Sequence, residues 1–164
     1  MIILRKVFSC IIAMNMLLLT GCNSQPSLYK ISREDSEKVF ELIKNEDISQ
    51  LSELFSDYVK KEHNVEEELQ KFFESIDGEL SDYKRLDFSG TTEGYDKDGN
   101  LDKRALTVEF KNISSSTEKK YYELLYYRTF VSAAYPDTEG INGIRLIINE
   151  DDDSSKFIDV GISK

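Results

Sequence analysis

The sequence predicts an α+β domain: three N-terminal helices packed on a curved antiparallel sheet of four to five strands. Two observations lead there. From Ser32 to Gly78 apolar residues recur every three or four positions, the period of a helix with one buried face. From Asp82 onward they tend to alternate with polar ones, the period of a half-buried strand. Helices followed by an antiparallel meander form this class because a helical apolar stripe needs a partner, and one face of a sheet supplies it.

The first helix is expected to start at Ser32, whose hydroxyl can cap free amides, with Glu34 and Asp35 in a first turn that favours anions. Val39, Leu42 and Ile43 give its stripe, and Asn45 ends it. Asp47 is a second N-cap. Ile48, Leu51, Leu54, Phe55, Tyr58 and Val59 follow on one face of what reads as a single continuous helix, closed by Lys60 and Lys61. Asn64 caps a third helix, with Glu66, Glu67 and Glu68 in its first turn and Leu69, Phe72, Phe73 and Ile76 inward. Asp77-Gly78 stops it.

A first strand is placed at Asp82–Ser89. The run Asp96-Lys97-Asp98-Gly99-Asn100 is a turn. Leu106, Val108 and Phe110 alternate with polar residues in the next strand. Lys120–Ala133 is a long strand with Tyr122, Leu124, Tyr126, Arg128 and Phe130 on one face. Tyr121, Glu123, Leu125 and Tyr127 lie on the other. Tyr135–Gly143 reads as a loop, Gly143–Asn149 as a strand, Glu150–Ser155 as an acidic turn and Phe157–Ile162 as the last strand.

Composition is that of a folded chain: 40% hydrophobic, 32% charged and only two Pro in 164 residues. The balance is acidic, with 31 Asp+Glu against 21 Lys+Arg. Such a surface is repelled by phosphates, so no nucleic acid is expected as partner.

The first residues have a different character. Arg5 and Lys6 precede a mostly apolar run, Val7–Leu19, which is shorter than the roughly 20 residues a membrane-spanning helix needs. Leu19-Thr20-Gly21-Cys22 and a polar stretch follow. A basic start, a short apolar run and small residues before a cut are the secretory pattern. Leu-Thr-Gly-Cys resembles the bacterial lipobox. The resemblance implies cleavage between Gly21 and Cys22 and a diacylglyceryl group on the Cys22 thiol, two acyl chains being enough for stable anchoring. The expected organisation is a signal peptide over 1–21, a lipidated tether over 22–31 and one α+β domain over 32–164. The expected location is the cell membrane, lipid-anchored on its extracytoplasmic face. Cys10 would leave with the signal peptide, so Cys22 could form no disulfide within the mature chain.

The stretch Asn45–Tyr83, with Asp47, Leu51, Leu54-Phe55-Ser56 and Phe72-Phe73 before Gly78, resembles a family of small secreted lipoproteins, domain of unknown function family 5104. Tyr122 in the long strand and Gly143-Ile144 before the next add to the likeness. It implies a cone like that of nuclear transport factor 2, and it brings no catalytic residues. A fold of that kind by itself licenses no activity.

Among candidate sites, the only histidine, His63, reads as a surface residue at a helix end. Asp96, Asp98, Asn100 and Asp102 open like a calcium loop, but the sixth position is Leu101 and the twelfth Thr107, so a hairpin turn is expected and no metal. Glu150–Asp153 is a solvated acidic turn. Tyr58, Tyr122, Tyr126 and Arg128 are the pocket candidates, phenols and a cation that could line one side of the sheet. With no nucleophile–base pair, phosphate loop or ligand cluster legible, no cofactor is expected and no catalytic residue is assigned. The reading is a non-catalytic domain binding a protein or small ligand. The alternatives are an acid–base enzyme using Asp87 and the pocket tyrosines, and an immunity or self-protection lipoprotein.

Overall fold

A computed structural model describes residues 27–117, 120–149 and 154–162. The signal-peptide and Cys22 assignments lie outside the described residues, as does most of the acidic turn after Asn149. The chain divides into two units, residues 1–34 and residues 35–164. The second carries the elements discussed below, together with the C-terminal part of the first helix.

Among the described residues four helices precede the sheet: α1 (Leu28–Lys44), α2 (Ile48–Glu53), α3 (Asp57–Glu62) and α4 (Val65–Glu74). Five strands follow: β1 (Arg85–Tyr95), β2 (Leu101–Ser114), β3 (Tyr121–Ser132), β4 (Gly140–Asn149) and β5 (Ser155–Val160). The strands pair antiparallel in sequence order, β1-β2-β3-β4-β5. A 3₁₀ turn at Pro136–Thr138 joins β3 to β4.

This corrects the expectation of three helices on a cone like that of nuclear transport factor 2. Among the described residues there are four α-helices, and the sheet is a meander whose end strands, β1 and β5, each pair on one side only. The extra helix comes from a break in what the sequence shows as one apolar stripe. At Leu54–Ser56 the chain leaves the helix, and Phe55 forms a parallel bridge with Ile141. Ser56 N donates to Ile141 O at 2.9 Å, and Ile141 N to Leu54 O at 2.8 Å. Ser56 then restarts the helix by accepting from Val59 N. The break occurs because backbone pairing with β4 replaces the intrahelical bonds, while Leu51, Phe55 and Val59 stay buried on the same side.

Other boundaries move as well. The first helix begins at Leu28, and Ser32 lies within it, its hydroxyl donating to Leu28 O at 2.7 Å. Ser32 is thus no N-cap. Asp47 and Asn64 are caps as the sequence indicates, accepting from Gln50 N and Glu67 N. Strand β1 starts at Arg85 rather than Asp82 and runs to Tyr95, and β4 starts at Gly140, inside the expected loop.

The core lies on one face of the sheet. Leu106, Val108 and Phe110 of β2, Tyr122, Leu124 and Tyr126 of β3, and Ile144, Leu146 and Ile148 of β4 are all buried. Register aligns Phe110, Leu124 and Leu146 in one row and Val108, Tyr126 and Ile144 in the next. From α1, Phe40 packs on Phe110 and Tyr83 with ring centres 4.9 Å apart in each pair, and Phe110 stacks on Tyr126 at 6.2 Å. Such contacts favour the compact state beyond simple area burial.

Gly140 sits where α3 begins. Its φ is +128°, and a Cβ there would lie 2.7 Å from Ser56 N. Gly99, in the β1–β2 turn, has φ +83° with open space around it. Gly140→Ala should therefore cost about 3 kcal/mol, from backbone strain together with the clash, and Gly99→Ala about 1 kcal/mol from strain alone. Urea unfolding midpoints of the two variants check both values.

Candidate functional site

The long strand β3 positions the site. Its alternation puts Tyr122, Tyr126 and Arg128 on the helix-covered face, where Tyr122 meets the chain after α4 and the other two share a partner on α1. Tyr122 is fully buried, and its hydroxyl accepts from Asp77 N at 2.9 Å, holding the chain just after α4. Tyr126, also fully buried, donates to Asp35 Oδ2 of α1 at 2.9 Å, with Ser36 Oγ 3.3 Å from the same hydroxyl. Arg128 reaches Asp35 Oδ1 at 3.3 Å through Nη2 and donates from Nη1 to Leu54 O at 3.1 Å. Its guanidinium carbon lies 5.5 Å from the centre of the Phe130 ring. Asp35 thus holds a phenol and a cation together, and Leu54 O serves both Arg128 and Ile141 N. Arg128 Nε is buried without a partner.

Tyr58, the fourth sequence candidate, projects from α3 and is 52% exposed. It meets Arg128 in a groove of about 390 Å³ lined also by Gly90, Thr107, Tyr127, Thr129, Thr138 and Asn142. The structure therefore brings Tyr58 and Arg128 to one groove and joins Tyr126 to Arg128 through Asp35. Tyr122 serves a separate contact at the end of α4.

The groove follows from sheet irregularities. Register shifts fall between Ser89 and Thr92 on β1, between Arg104 and Ala105 where β2 faces an extra Phe130 on β3, and between Tyr127 and Arg128 where β4 carries an extra Asn142. Pairing through Ala105, Thr129 and Gly140 puts all three at one level of the sheet. A bulge bends a strand and leaves its extra residue unpaired, and three side by side open the sheet at that level. Asn142, one of the extra residues, is held firmly. Its Nδ2 donates to Thr129 Oγ1 at 3.0 Å and Thr138 O at 2.9 Å, and its Oδ1 lies 2.9 Å from Ser56 Oγ. Sequence reasoning did not find Tyr127, Thr107, Thr129 or Asn142, since bulges are set by pairing between distant strands. The one local sign was Gly90, a glycine inside a strand pattern.

Other candidates resolve differently. His63 ends α3 with its side chain only 16% exposed, its Nδ1 2.9 Å from Glu68 Oε1, while Glu68 Oε2 accepts from Gly161 N at 2.7 Å. It is a packed residue rather than a surface one, because α4 carries Glu68 back to it. The Asp96 carboxylate is held within its turn by Asn100, Asp98 N and the Asn100 amide nitrogen, and these bonds keep it below the usual carboxylate range. Asp87, on β1, is paired with Arg85 and Lys111, and the Arg85 hydrogen bond leads in holding it low. Among the described residues no group of three or more His, Cys, Asp or Glu is placed to hold a metal ion, and no helix is long and apolar enough to cross a membrane.

A family model described as Domain of unknown function (DUF5104) matches residues 38–150. The chain belongs to this family. The DUF5104 match runs from within α1 to the end of β4, so every residue lining the Tyr58–Arg128 groove falls inside it, whereas Asp35 and β5 lie outside. A search of the curated proteins finds no match.

Burial, and then the charge of Asp35, pushes the Tyr126 phenol far above its ordinary value of 10.0. The folded chain holds that proton more tightly than the unfolded chain does. The resulting stability is complete below about pH 10 and is lost as pH rises past it. Tyr126→Phe should cost about 2 kcal/mol at pH 7, the worth of a hydrogen bond to a charged acceptor. The variant should also lose stability less steeply than the parent above pH 10. Unfolding free energies at neutral and alkaline pH check both.

Proposed function

We propose that this chain is a membrane-anchored extracytoplasmic lipoprotein whose folded part is a non-catalytic domain binding a protein or small ligand. The observation that carries the binding half is the bulge-opened groove at Tyr58 and Arg128. Its volume, about 390 Å³, is in the range of small-ligand sites, and its walls combine apolar side chains, aromatic rings and hydroxyls, all on strands and a helix except Thr138 in the β3–β4 turn. The anchoring half rests on Leu19-Thr20-Gly21-Cys22 after a basic and then apolar start.

The candidates for the acid–base alternative favour binding instead. Asp87 is held ionised by two cations, and Tyr126 is a buried donor to a carboxylate. Neither is poised to exchange protons near neutral pH.

Cys22→Ser tests the anchor. In a bacterial host the parent should take up labelled palmitate and sediment with membranes, while the serine variant should take up none and leave the membrane fraction. A serine variant that sediments as before would overturn the anchoring half.

A further inference from the structure

The Tyr58–Tyr127 groove differs in charge from the other cavities described. The groove between α4 and β5 carries Glu68 and Asp159; that beside Leu54 and Gly140 carries Glu53, Asp57 and Glu139; that between α1 and Tyr83 carries Glu37, Glu41 and Asp82. In a chain with 31 acidic residues, the lining of the Tyr58–Tyr127 groove has none. Its one cation, Arg128, already faces Asp35 and Leu54 O. A cationic ligand would find no carboxylate there. An anionic one would have to compete with Asp35 for the guanidinium, at the cost of leaving a mostly buried carboxylate with the Tyr126 hydroxyl and no cation. The lining therefore selects an uncharged ligand.

The rest of the lining is apolar or small at Gly90, Ala105 and Leu106, with the Asn142 amide, two tyrosine rings and the threonine hydroxyls around them. Tyr58 and Tyr127 are 52% and 37% exposed and offer flat apolar faces with polar tips. Thr107 and Thr129 add hydroxyls from neighbouring strands, two register positions apart, Thr107 pairing with Tyr127 and Thr129 with Ala105. A hydroxyl both donates and accepts, which matches a ligand whose own groups do both at many positions. A peptide backbone instead presents donors and acceptors in fixed alternation and is best met by a free strand edge. Here most of the strand residues lining the groove lie on β2, β3 and β4, interior strands already paired on both sides, and Gly90 alone comes from the edge strand β1.

We infer that this groove takes a neutral oligosaccharide, its sugar faces against Tyr58 and Tyr127 and its hydroxyls toward the threonines. The inference rests on the binding reading above and names the ligand class for the same groove. The chain has nine tyrosines and no tryptophan, so labelled tyrosine signals report the groove directly.

The test titrates the full chain, in a detergent without a sugar headgroup, with neutral chitotriose and neutral maltotriose, following ring signals by NMR. At least one sugar should move the Tyr58 and Tyr127 signals saturably and leave Tyr121, an exposed tyrosine outside the groove, unmoved. Tyr58→Ala and Tyr127→Ala should each weaken binding about tenfold, and Tyr121→Ala should not. Both alanine sites are partly exposed, so the variants should fold; an unchanged melting temperature verifies that. Binding unaffected by either groove variant overturns the inference. Uncharged, acidic and basic hexapeptides are titrated in parallel. If neither sugar binds but a peptide shifts the groove tyrosines, the saccharide class fails and the binding reading stands. If nothing shifts them, both fail.

Discussion

The carboxylate of Asp35 is the point on which the helix-to-sheet arrangement turns. One oxygen accepts the Tyr126 hydroxyl and the other faces Arg128, so a single acid on α1 meets two polar groups that β3 directs into the apolar layer. Without it, the Tyr126 phenol would keep only Ser36 Oγ and the Arg128 guanidinium only Leu54 O, each short of its charged partner in a largely buried setting. The same guanidinium reaches Leu54 O, whose other bond comes from Ile141 N. α1, the α2–α3 break and two central strands are therefore linked through one side chain.

That linkage also shapes the groove. Arg128 faces the helices on one side and lines the Tyr58 cavity on the other. Because its charge is matched by Asp35, the cavity is neutral although the chain is strongly acidic. Tyr127 and Arg128, neighbours in sequence and on opposite faces by strand alternation, both border the cavity, next to the bulge that Asn142 makes on β4.

Much of the architecture was legible from pattern. The alternation in Lys120–Ala133 marked Tyr122, Leu124 and Tyr126 as one face, and all three are fully buried. Asp47 and Asn64 announced helix starts because capping depends on one side chain and amides three residues away. The stripe from Ile48 to Val59 misled, since its period records which residues face inward and is blind to a backbone that leaves the helix to pair with β4. His63 was read as exposed because the partner that covers it, Glu68, is set by the turn into α4.

Local chemistry alone thus determined that helices precede the sheet, the inward residues at the centre of β2, β3 and β4, and the acidic balance, because period and charge depend on residues within a few positions of one another. The tertiary structure decided the break at Leu54–Ser56, the pairing of Tyr126 and Arg128 through Asp35, and the row of bulges that makes the groove. Each of these joins residues 74 or more positions apart or depends on the register of strands that meet only after the chain has folded, and no local period carries that information.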